Sequence, residues 1–297
     1  MEHRYLKRYI MSRCVPEDVF NDYTPESDAR PPLHAEIYEK WMWVKEWLDK
    51  KLVEYPLFLD SELKERTEKY FRLMEERPEL FSPLDGKFPI CRDLKKILSF
   101  QEANKDRKDR NFKVGVMFDN SPFYMVVSDL IEGDNPYTYS RIVYPKECGG
   151  TVIVPVYTTA SGESKFILIK NMRHPIRKES FEFPRGFLED GCTERENALK
   201  ELSEELSKKP GFTDTYAEAL SRLGDTYPDS GLSSARVSIY LAHLKKEIDE
   251  VNTDEEGITG YITLTETELS EKIKNGEITD GLTQNAFLMY LSNKKEA

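Results

Sequence analysis

The chain has 297 residues, 39% of them hydrophobic, and a formal net charge of -11. That is enough apolar material for one large or two modest domains, and the acidic balance excludes wrapping a nucleic acid as the main task, which needs a dense basic surface to displace counterions. Its four cysteines, Cys14, Cys91, Cys148 and Cys192, form no CxxC pair and have no histidine at metal-ligand spacing, which fits a reduced, cytoplasmic setting without a disulfide framework or zinc site.

The first residues, MEHRYLKRYI, are charged where a signal peptide would be apolar, and no run approaches the roughly 18 apolar residues of a membrane span, so no membrane association is expected. Residues 1–33 are polar and broken by Pro16, Pro25, Pro31 and Pro32, reading as an irregular arm with one short helix at 4–12. From His34 to Glu54, Ile37, Trp41, Val44, Leu48 and Leu52 recur at helical spacing. Trp43 and Trp47 lie beside that stripe, which reads as core rather than as a base-stacking platform. A second helix is predicted over 61–77, ended by Pro78, and a third over 85–100. The charged stretch QEANKDRKDRN at 101–111 reads as a linker, so the chain divides into a helical domain over 1–110 and a second domain over 112–297.

The texture then changes from a helical to a strand period. Phe112, Val114, Val116 and Phe118 alternate with other residues, and strands at 123–127 and 137–144 follow turns at Asp119–Pro122 and Gly133–Pro136, giving a small antiparallel sheet. The apolar runs 151–157 and 165–170 read as buried central strands of a mixed sheet. Further strands are predicted at 237–242 and around Tyr261, and helices over 265–275 and 286–291.

The informative stretch is FEFPRGFLEDGCTERENALKELSEEL, residues 181–206. Thr193 and Glu196 have the spacing of a capping box, Pro184-Arg185-Gly186 forms a turn ahead of it, and the helix that follows carries Glu201, Glu204 and Glu205 on one face. Three carboxylates on one face repel one another, which weakens the helix unless a cation compensates; hard divalent cations prefer such oxygens. A solvated acidic helix is the plain alternative for such a cluster taken alone.

This segment resembles the Nudix box, G-x5-E-x7-REUxEExGU with U aliphatic, through Gly186, Glu201, Leu202, Glu204 and Glu205. It departs from the pattern at Cys192 and Lys200, where the family has a glutamate–arginine pair that steadies the loop, and at Ser207 and Lys208. Over about 112–294 the chain is similar to the ADP-ribose pyrophosphatase branch, through Ile169-Lys170-Asn171-Met172-Arg173-His174-Pro175, Glu182-Phe183-Pro184-Arg185-Gly186, Tyr227-Pro228-Asp229-Ser230-Gly231-Leu232 and Gly276-Glu277-Ile278-Thr279-Asp280 with Thr283. The resemblance implies an α+β fold: an α/β/α sandwich with a small antiparallel N-terminal sheet, preceded here by the helical region.

It further implies metal-dependent hydrolysis of the pyrophosphate of ADP-ribose or an ADP-sugar, giving AMP and a sugar phosphate. Magnesium, with manganese as its substitute, would be held by Glu201, Glu204, Glu205 and the Arg185 carbonyl, with Arg173, Glu182 and Gly186 at the substrate and a homodimer as the assembly. A second reading of the same residues is a Nudix-fold module that binds such a nucleotide without turning it over. The general base is not fixed by the resemblance: Asp225, Asp229, Glu255 and Glu256 qualify by loop position, a metal-bound hydroxide held by Glu205 would also serve, and His174 and His243 lack a positioned partner. With the glutamate–arginine pair gone, the loop after Gly186 is expected to be loose.

Overall fold

In a computed structural model of the protein, residues 61–108, 112–119, 121–144, 146–207, 217–255 and 257–294 are described. The expected arm at 1–33 and the tryptophan-bearing helix at 34–54 lie outside them. The chain groups into two compact units, one comprising residues up to 120 with 126–140, the other 121–125 with everything from 141 onward. Strands that the sequence assigns to the second domain therefore cluster with the helices of the first.

In the first unit, helix α1 (Ser61–Glu76) buries Leu63, Tyr70, Phe71 and Met74, and Pro78 starts a 3₁₀ turn (Pro78–Phe81) directly after it. Helix α2 (Leu94–Ala103) begins later than the periodicity predicts, because Asp93 caps it by accepting the N–H groups of Lys95 and Lys96. It also runs into the expected linker, since Gln101 is buried and its Oε1 accepts the Val114 N–H at 2.9 Å and Arg66 Nη2 at 3.2 Å. Strands β1 (Gly115–Phe118), β2 (Met125–Ile131) and β3 (Tyr137–Val143) form the small sheet, with β1 antiparallel to β2. This is the N-terminal sheet read from the alternation.

The second unit is built on a seven-stranded mixed sheet. Its strands are β4 (Cys148–Thr158), β5 (Ser164–Arg173), β6 (Lys178–Glu182), β7 (Arg185–Phe187), β8 (Ala217–Thr226), β9 (Arg236–Leu244) and β10 (Ile258–Thr265). The order is β10-β5-β4-β9-β8, with β6 on β5 and β7 on β4; β4 and β9 are parallel. Side chains alternate across it as strand geometry requires. Val152, Val154, Phe166, Leu168, Ile239 and Leu241 pack on one face with helices α4 (Glu266–Lys274) and α5 (Gly281–Lys294), through Leu269, Ala286 and Phe287. Ile153, Ile167, Ile169, Tyr240 and Ala242 pack on the other with helix α3 (Glu194–Leu206), through Ala198, Leu202 and Leu206. The result is the mixed α+β, helix–sheet–helix arrangement expected. No helix among the described residues is long and apolar enough to cross a membrane.

One irregularity positions the site. Strands β4 and β5 pair only over Val156–Thr158 and Ser164–Phe166. Beyond that, β5 takes β6 as partner and β4 takes β7, and the chain crosses between them at Phe183-Pro184. Proline has no N–H for a ladder, but its carbonyl accepts from Ile153 at 2.9 Å, so the crossing is anchored on β4. The residues that follow, Arg185 and Gly186, are thereby laid beside α3.

Candidate functional site

Helix α3 starts as the sequence predicts: Thr193 Oγ1 accepts the Glu196 N–H at 3.2 Å, and Glu196 Oε2 accepts the Thr193 N–H at 2.8 Å. Its apolar residues are drawn against the sheet, which carries Glu205, a residue only 9% exposed, inward with them. Glu205 Oε2 accepts the backbone N–H of Arg185 at 3.1 Å. Glu201 sits against Gly186 so closely that a Cβ there would lie 2.0 Å from its Oε1. Gly186 is thus needed for close approach, as the turn predicts.

Burial pushes the Glu201 carboxyl up to about 7, with the Glu204 charge adding to it. Burial likewise pushes Glu205 up to about 8, with the Glu201 charge adding and the Arg185 N–H opposing. Glu204 is exposed, and its Oε1 is 3.5 Å from Lys200 Nζ. The fold therefore brings Glu201 and Glu205 together and leaves Glu204 at the rim; among the described residues no three acidic, histidine or cysteine side chains converge as a metal cage. Two neighbouring carboxylates, Glu201 against a glycine backbone and Glu205 raised further by the Glu201 charge, form a donor pair suited to a hard divalent cation.

Beside them lies a charged chain. Arg173 grips Glu182 through Nε at 2.9 Å and Nη2 at 2.5 Å, and Arg185 Nη2 reaches the same carboxylate at 3.1 Å. Burial acts to raise the Glu182 carboxyl, but the Arg173 and Arg185 guanidiniums outweigh it and hold Glu182 below its ordinary value. Arg185 also pairs with Asp280 Oδ1 at 3.1 Å, while Asp280 Oδ2 accepts the Thr283 N–H at 2.8 Å and so caps α5. Thr283 Oγ1 in turn accepts the Phe183 N–H at 3.0 Å. Sequence reasoning placed Arg173 and Glu182 here but missed the Arg185 side chain and the role of Asp280; the D-x-x-T spacing of a helix cap was the available signal.

The other candidates sort by what holds them. Asp225 is engaged by Arg222, Arg236 and Ser238. Asp229 accepts the Gly231 N–H within its turn. The Glu255 charge bears on Glu201, and its loop lies on α3, where Asn252 N–H donates to the Glu205 carbonyl at 3.0 Å. Glu256 lies outside the described residues. His174 contacts Arg177 on an exposed hairpin, and His243 is exposed on β9.

The loop after Gly186 is not unbraced, contrary to expectation. Lys200 Nζ meets Glu189 Oε1 at 2.5 Å, a partner three residues upstream of Cys192. At the same loop, Phe187 stacks on Phe123 with centroids 4.5 Å apart, lining a shallow cleft with Tyr144, Lys146, Cys148 and Asp190.

No family model matches the chain. It is 26% identical over 177 residues to a methanol dehydrogenase activator of Bacillus methanolicus, covering 59% of this chain and 89% of that protein. It is 28% identical over 134 residues to an ADP-ribose pyrophosphatase of Bacillus subtilis (strain 168), covering 45% of this chain and 68% of that protein. A shorter match, 36% identical over 64 residues, is to an ADP-sugar pyrophosphatase of Mus musculus and spans 22% of this chain and 29% of that one.

Proposed function

This chain is a relative of the ADP-ribose pyrophosphatase-like Nudix proteins, and on that footing we propose that it hydrolyses the pyrophosphate of ADP-ribose or an ADP-sugar, giving AMP and a sugar phosphate. The observation that carries the reading is the pair of carboxylates, half-buried Glu201 and buried Glu205, set against Arg185 and Gly186 at the end of the β6–β7 crossing. Glu201 and Glu205, joined by Glu204 from the rim and by the Arg185 carbonyl, would hold magnesium or manganese. A cation so bound neutralises phosphate oxygens and acidifies a coordinated water.

The chain's own residues supply the rest. Arg173, its fork fixed by Glu182 and its side chain a third exposed, is oriented to grip paired phosphate oxygens. Arg185, held between Glu182 and Asp280, keeps that positive charge in register with the glycine turn. For the proton of the attacking water we take the Glu255 carboxylate as the candidate acceptor, since its loop lies on α3 and its charge bears on Glu201, while Asp225 and Asp229 are engaged by neighbouring groups. The oxygen of water bonds to one phosphorus, and the bridging oxygen leaves with the other phosphoryl group. The same reading carries a homodimer working in the cytoplasm.

One observation favours the second reading, a module that binds such a nucleotide without turnover: Glu204 faces Lys200 instead of the other two carboxylates. Incubating the full chain with magnesium and a panel of ADP-ribose, ADP-sugars and other nucleoside diphosphate derivatives, then separating products, decides between them. AMP with a sugar phosphate is the expected outcome. Binding of ADP-ribose with no product from any member of the panel would establish the binding module instead.

A further inference from the structure

The loop between Gly186 and the cap of α3 is mostly solvent-facing: Asp190 and Gly191 are exposed, and Asp190 meets Lys146 at 2.8 Å. Glu189 is exposed too, but all three of its polar groups are held. Its N–H donates to Asn197 Oδ1 at 3.1 Å, its carbonyl accepts from Lys146 Nζ at 2.6 Å, and its carboxylate meets Lys200 Nζ at 2.5 Å. The three grips come from different places. Asn197 is fully buried on α3 and donates onward to Thr151 Oγ1 of β4 at 3.0 Å; Lys200 lies one turn along the same helix; Lys146 precedes β4.

We propose that Glu189 is a positioning residue of the site: this three-point hold fixes the loop, and through it Gly186 and Arg185, against Glu201 and Glu205. The inference rests on the proposed function for what the positioned groups do. An exposed lysine–glutamate pair alone restrains little. A buried amide that joins the same residue to the sheet, in concert with that pair, restrains the backbone itself. Lys200 is adjacent in sequence to Glu201, so pulling on Glu189 from Lys200 ties the loop to the turn of helix that carries the first carboxylate. The role that the resembled pattern gives to position 192 is thereby carried from position 189, and Cys192 is free to be a cysteine.

The test uses the full chain and four variants: Glu189→Gln, Lys200→Met, Lys200→Arg, and Glu189→Gln combined with Cys192→Glu. Amide hydrogen exchange of residues 187–192 is followed in metal-free protein, Mn2+ affinity is measured by electron paramagnetic resonance, and kcat and KM are measured for ADP-ribose. Glu189→Gln and Lys200→Met, which leave the two backbone grips in place, are expected to speed exchange in the loop roughly threefold, as for losing one partly exposed ion pair. Glu189→Gln should also weaken Mn2+ severalfold and lower kcat more than it raises KM; Lys200→Met also removes the cation 3.5 Å from Glu204, so it is read by exchange alone. Lys200→Arg should keep the protection, and Cys192→Glu should restore it in the Glu189→Gln background by offering Lys200 a carboxylate from the other side of the turn.

Parent-like exchange in both Glu189→Gln and Lys200→Met, with parent-like Mn2+ affinity in Glu189→Gln, would overturn the proposal. If the parent hydrolyses no nucleotide while the exchange and Mn2+ changes occur as stated, the hydrolase reading falls and the positioning role of Glu189 stands.

Discussion

Glu201 and Glu205 are ionisable groups kept where water does not fully reach them, and their proton uptake has a direction that can be measured. Their folded values of about 7 and about 8 lie above the ordinary 4.5, so between 4.5 and 8 the folded chain binds more protons than the unfolded one. Stability is then full below 4.5 and falls as pH rises towards 8, each carboxyl contributing at most about 1.4 kcal/mol per pH unit of that interval. Glu182, Glu194 and Asp225 are held below their ordinary values, so their contribution is lost only in the acid range, outside that window. Urea midpoints of chelator-treated protein should drop from pH 5 to pH 8, and Glu205→Gln should flatten the slope. A midpoint that rises with pH in the parent would contradict the burial of this pair. Gly186→Ala gives a second residue-level expectation. Its Cβ would meet first the Glu201 carboxylate, the end of a flexible side chain, so the fold should lose about 1 kcal/mol while Mn2+ affinity falls about as far as in Glu201→Gln. The meeting of the glycine turn with Glu201 and Glu205 was legible because a turn and one face of a helix are set by residue type and spacing. Glu189 and Asn197 were not, because their roles depend on where a loop and a buried amide meet in space.

At the level of elements, the β4–β5 divergence makes the crossing, and the cap of α5 locks it. Thr283 Oγ1, almost fully buried, accepts the Phe183 N–H, so Thr283→Val leaves that donor unpaired at about 1–3 kcal/mol while preserving shape. The thermal midpoint should fall in Thr283→Val. Asp280→Ala should lower it too and raise KM for ADP-ribose besides, since it releases Arg185 as well as the cap. Equal KM in the two variants would separate Asp280 from the site. Most strands and helices of this unit were readable from period because each has one face on a single core. Strand β8 was not: it pairs only with β9, and its polar run ALSRLGDT has no clean alternation. The short β6 and β7 carried no period of their own and were visible only as the flanks of a turn.

For the whole chain, the expected boundary near 101–111 falls within a unit whose parts are tied across it. Arg66 Nε donates to the Val114 carbonyl at 3.0 Å, and a Cβ at Gly115 would lie 2.8 Å from the Arg66 carbonyl oxygen. A protease nick between Lys105 and Arg110 is therefore expected to leave the two pieces together on size exclusion; clean release of a folded 112–297 fragment would restore the sequence-drawn boundary. The periodicity could not reveal this, because a change from helical to strand period marks a change of element, whereas a unit is defined by which elements share a core. The order of synthesis gives the Asp280–Arg185 contact another meaning. A ribosome delivers the glycine turn and its carboxylate helix long before it delivers residues 280 and 283, and domains fold as their parts emerge. Until then Arg185 has Glu182 but lacks its second anchor, and Phe183 lacks the hydroxyl that receives its N–H. The nascent chain therefore carries a chemically complete set of acids well before it carries a geometrically finished one.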